Sequence, residues 1–83
     1  MTTTKKISNK NLQVIEKNLN AFNFNYKSIL IEKCIYSKRF LIFWSDEVNE
    51  FKNNYIQSFS NILEVNGWLY GMVQGKYFKE YQI

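Results

Sequence analysis

The chain has 83 residues, with eleven Lys plus Arg against seven Asp plus Glu, a formal charge of +4. Length allows one small domain. The absence of His and the single Cys exclude an intramolecular disulfide, Cys/His zinc clusters and nucleophile–His relays.

Lys, Asn, Ile, Phe and Tyr make up just over half of the chain, whereas Gly, Ala, Arg and Pro are scarce. Arg39 is the lone arginine. This usage points to an AT-biased gene, such as one carried by a phage or another mobile element. It accounts for the excess of lysine without selection for phosphate contacts. Residues 1–6 read as a flexible tail before a single domain over 7–83. No apolar stretch resembles a signal peptide, and the longest apolar run, 40–44, is too short to span a bilayer. The expectation is an intracellular, cytoplasmic protein with no membrane contact.

Ser8 is placed to cap a helix over 9–22, with Ile7 and Leu12 as a hydrophobic staple. Leu12, Ile15, Leu19 and Phe22 recur at helical spacing on one stripe. Asn23 and Asn25 are candidate left-handed residues to end it. From Tyr26 the period drops to two, predicting a strand through Tyr36 and a second over 39–44. A Ser37-Lys38 turn would set Ile35 opposite Phe40 and Ile31 opposite Trp44.

Ser45 caps a second expected helix, with Asp46, Glu47 and Glu50 in its first turns. Val48, Phe51, Tyr55, Phe59, Ile62 and Leu63 form its apolar arc, and Asn66-Gly67 is a stop signal. Alternation over 68–73, a Gln74-Gly75 turn and a return over 76–81 suggest a last hairpin, with a short C-terminal helix as the competing reading. The sum is an α+β fold in α-β-β-α-β-β order. Its antiparallel four-stranded sheet carries two helices on one face in two layers.

The acidic trio fits helix N-terminal electrostatics better than a metal or acid–base site. Cys34 reads as a small hydrophobe on a strand. Neither a metal site nor a cofactor is expected. More telling, both faces of the predicted strands carry apolar residues, more than two helices on one side can cover. An exposed apolar face marks an interaction site.

The expectation is therefore a non-catalytic interaction module, an adaptor or inhibitor, that binds another protein through an aromatic-rich open sheet face. Tyr36, Arg39, Phe43, Trp68, Tyr70 and Tyr77 are its anchors, since Tyr, Trp and Arg are enriched in interfaces. Homodimerisation is a second way to cover that face. The alternative is a single-stranded nucleic-acid-binding protein, with sheet aromatics stacking bases and Lys27, Lys38, Arg39, Lys76 and Lys79 framing the platform. An enzyme ranks third, for want of clustered cations.

Overall fold

The computed structural model describes residues 3–25, 28–44 and 55–75. Four strands and two helices follow in the order β1 (Thr4–Lys6), α1 (Asn9–Asn25), β2 (Ile29–Cys34), β3 (Phe40–Trp44), β4 (Gln57–Phe59) and α2 (Ile62–Val73). The strands form one antiparallel sheet in the order β1-β2-β3-β4. This is the expected α+β class, with four antiparallel strands and two helices. The order of elements along the chain is different.

The first helix begins as its sequence dictates. Ser8 caps it, accepting the Asn11 N–H on Oγ at 3.2 Å, while its carbonyl accepts the Leu12 N–H at 2.9 Å. Ile15 and Phe22 are fully buried, and Leu12 and Leu19 pack beside them. The helix runs to Asn25, three residues past Phe22. Asn23 does not turn left-handed. It stays helical and its side chain accepts the Ile29 N–H at 3.0 Å, which ties the end of α1 to the start of β2.

Residues expected in a flexible tail form β1 instead. Thr4 lies opposite Cys34 and Lys6 opposite Glu32. The Thr4 hydroxyl donates to Glu32 Oε1 at 2.6 Å, and both residues are buried. A buried carboxylate needs such a partner, and the short strand supplies it. Three polar residues carry no hydrophobic period, so β1 leaves no strand signal in the sequence.

The central hairpin pairs Ile31 with Ile42 and Lys33 with Phe40, two residues from the expected register. A shift of two keeps every side chain on its expected face, because the pleat repeats every two residues. Ile29, Ile31, Phe40, Ile42 and Trp44 therefore face the helices.

The largest departures come after residue 44. Residues 45–54 and 76–83 lie outside the described residues, and with them the Ser45 cap, the acidic trio and the final expected strand. Phe59 belongs to strand β4, not to a helix. Residues 68–73, expected to alternate as a strand, are helical. The reason is the Asn61 cap, whose Oδ1 accepts the Glu64 N–H at 3.0 Å and sets a new helix start. From there Ile62, Val65, Leu69 and Met72 fall on one stripe, and the Asn66-Gly67 stop is overridden. Asn66 is used in packing, accepting from the Asn18 amide at 2.8 Å across the two helices.

Aromatic rings join the layers. Phe22 of α1 lies 6.1 Å from Trp44 of β3 and 6.0 Å from Trp68 of α2, and Phe59 of β4 lies 6.5 Å from Trp68. Truncating Phe22 removes the ring common to two of these pairs. Phe22→Ala should cost about 3–5 kcal/mol, most of the stability a domain this small commands. Urea unfolding monitored by circular dichroism checks this. A midpoint within experimental error of wild type would contradict the assignment.

Candidate functional site

The β2–β3 connection builds one end of the molecule. Cys34 N–H donates to the Arg39 carbonyl at 2.8 Å and Lys38 N–H to the Cys34 carbonyl at 2.9 Å. Lys38 closes the loop at φ 63°, in the left-handed region. Ile35 N–H donates to the Thr3 carbonyl at 2.9 Å, which extends the pairing with β1. Tyr36 at the tip is 70% exposed.

Arg39 is held rather than free. Its Nε donates to Ser58 Oγ at 2.9 Å and a terminal nitrogen donates to the Ser58 carbonyl at 3.1 Å. The guanidinium is thereby fixed near the N-terminus of α2. There Ser60 donates both its hydroxyl, at 2.8 Å, and its N–H, at 3.0 Å, to Glu64 Oε1. The Ser60 hydroxyl and then its N–H hold the Glu64 carboxyl below the usual carboxylate range, with a small contribution from Arg39.

On α2, Val65, Leu69 and Met72 face the core. The opposite side is apolar too. Leu63 is 70% exposed and Tyr70 is 58% exposed. Gly67 stands between them at helical spacing, and a Cβ built there would meet nothing within 4 Å.

Of the expected anchors among the described residues, Phe43 and Trp68 are packed away from the surface that carries Tyr36 and Tyr70. Tyr36 and Arg39 lie in the hairpin loop and Tyr70 on α2. Trp68 packs between Phe22 and Phe59 as part of the core. Phe43 is 1% exposed and packs with Leu41, Leu30 and Cys34 on the sheet side away from the helices. That side is therefore not an open platform at its apolar centre, which corrects the expectation of an open sheet face. Tyr77 lies outside the described residues.

Of the basic residues framing the nucleic-acid alternative, Lys38 is exposed and Arg39 is bound to Ser58. Lys27, Lys76 and Lys79 lie outside the described residues. The β3 aromatics that would stack bases are all buried. Leu63 escaped sequence reasoning because a helix started at Ser45 assigns it to the buried arc. The Asn61 and Glu64 spacing, a capping-box pattern, is the signal that would have found it.

No family model, no curated protein and no solved structure matches this chain. Among the described residues no group of three His, Cys, Asp or Glu could hold a metal ion, and no helix is long and apolar enough to cross a membrane.

Cys34 has one chemical peculiarity. Hydrogen bonds from Ser37, its side chain first and then its N–H, and from the Tyr36 N–H hold the thiol below its ordinary value, and Lys38 adds to this. Iodoacetamide alkylation should therefore reach half its maximal rate at a lower pH in the folded chain than in the same chain in urea. Equal midpoints would show that the loop does not stabilise the thiolate.

Proposed function

We propose that this chain is a small non-catalytic interaction module, an adaptor or inhibitor, that binds another protein through the outward side of α2 and the adjoining hairpin end. The observation that carries the reading is the stripe of exposed Leu63, open Gly67 and exposed Tyr70 on a helix whose other side is core. A glycine inside a helix costs about 1 kcal/mol relative to alanine. Nothing in the described fold needs that glycine, because no neighbour would meet its Cβ. A partner backbone or apolar knob seated over Gly67 does need it.

Chemistry at the edges narrows the partner. Arg39 and Lys38 stand at the hairpin end, and the chain carries a formal charge of +4. A partner with an apolar projection flanked by acidic residues matches both features, since complementary charge raises the rate of encounter. Tyr36 and Tyr70 offer large amphipathic rings at the rim.

Gly67→Ala should raise the unfolding free energy by about 1 kcal/mol while weakening partner binding, so stability and affinity move in opposite directions. The double variant Leu63→Ser/Tyr70→Ser should unfold within about 0.5 kcal/mol per site of wild type. It should also lose the protein that wild type retains from a lysate of the source cells. Retention that survives the double substitution would overturn the proposed surface. Retention abolished by nuclease treatment would favour the nucleic-acid alternative.

A further inference from the structure

Phe24 is 88% exposed, the most open of the large apolar side chains among the described residues. It follows fully buried Phe22 by two residues, a turn of roughly 200° about the axis of α1, so it points away from the core. Lys17 and Lys10 lie two and four turns before it on the same line of the helix, and both are exposed. Beside that line Val14 is 39% exposed. The outward side of α1 is therefore apolar in part and cationic.

The hydrogen bond from Asn18 to Asn66 fixes which flanks of the two helices meet. Val14 stands one turn before Asn18, rotated further from the core. Leu63 and Tyr70 stand one turn before and one turn after Asn66, also rotated outward. The bonded pair is thus the floor of a shallow groove along the outer surface of the helical layer. Val14, Lys10 and Lys17 form its α1 bank, and Leu63 and Tyr70 form its α2 bank. Gly67 lowers the α2 bank between them, with open space where a Cβ would stand.

Charge is segregated across this surface. Glu16 and Glu64 each precede the bonded Asn of their helix by two residues, which places both on the flanks turned away from the groove. Glu64 is also taken up by Ser60. Among the described residues no ion pair engages Lys10 or Lys17.

Resting on the reading that α2 binds another protein, we infer that this groove receives a single amphipathic helix of that partner. Its apolar stripe lies against Val14, Leu63 and Tyr70, and its acidic edge lies against Lys10 and Lys17. The repeat favours a helix, since Lys10 to Lys17 and Leu63 to Tyr70 both span two turns, about 10 Å. A helix satisfies its own backbone and presents side chains at that interval. Gly67 lets its axis approach α2 closely. A second copy of the chain fits less well, because its own outer surface carries lysines here and keeps its carboxylates on the far flanks.

The test uses the full chain and a display library of helix-forming peptides roughly four turns long. Selection should enrich peptides with apolar residues at helical spacing and Asp or Glu two turns apart along one edge. A synthetic copy of an enriched peptide should bind one-to-one in titration calorimetry and gain helical circular dichroism when bound. Lys10→Glu/Lys17→Glu, two exposed changes, should weaken it about tenfold and remove most of its salt dependence. Val14→Arg should weaken it as well. No enrichment, enrichment of cationic or non-helical sequences, or affinity indifferent to both variants would overturn the inference. So would a dimer of the free chain, seen by light scattering, that Val14→Arg dissociates. The protein retained from the lysate separates this inference from the reading beneath it. Retention lost in Leu63→Ser/Tyr70→Ser but kept in Val14→Arg and in the lysine double variant strikes the groove alone. Retention kept in Leu63→Ser/Tyr70→Ser strikes the α2 surface itself, and the groove with it.

Discussion

The structure depends on the ring of Phe22. It is fully buried on α1 and stands between Trp44 on the sheet and Trp68 on α2. Each such aromatic pair contributes about 0.5–1.5 kcal/mol beyond its buried area. Their position matters more than their sum. Without that ring the two helices would share few large side chains with β3, and the Asn18–Asn66 hydrogen bond between helices would have no fixed geometry to close. The exposed stripe of α2 is a consequence, because the core contacts of Val65, Leu69 and Met72 dictate which side of the helix faces outward.

Strand β3 imposes the second constraint. All five of its residues are buried, on both sides of the sheet. Phe40, Ile42 and Trp44 meet the helices, whereas Leu41 and Phe43 join Leu30 and Cys34 on the other side. An apolar residue on each face of a central strand reads equally well as a recognition platform or as a second core. Burial decides for the second at these positions. Exposed apolar side chains are found instead around the sheet, with Tyr36 on the hairpin loop and Leu63 and Tyr70 on α2.

Two polar devices set the geometry at the end of the sheet. Lys38 takes a left-handed conformation so that a five-residue connection can turn β2 into β3. Arg39 reaches across to Ser58 and anchors β4 to that turn. Next to them, Asn61 and Glu64 satisfy the first N–H groups of α2 and its approach, so the chain leaves β4 and enters the helix within two residues. Hairpin end and helix start thus become neighbours although they are distant in sequence.

By itself the sequence determined the elements whose signals are local and unopposed. These are the Ser8-capped stripe of α1, the alternation of β2 and β3, and the assignment of their side chains to faces, which a register error of two residues leaves intact. It also determined the class, because two amphipathic helices and short alternating runs have few ways to bury their apolar faces. Tertiary structure decided the rest. Residues 68–73 satisfy a strand period and a helix period alike, and only contact with Phe22 and Phe59 makes Trp68 a helical core residue. Thr4–Lys6 becomes a strand because Glu32 needs a donor and β2 has a free edge, conditions that lie 28 residues away in the chain. Which apolar side chains stay exposed followed from packing between distant segments, and periodicity carries no record of that.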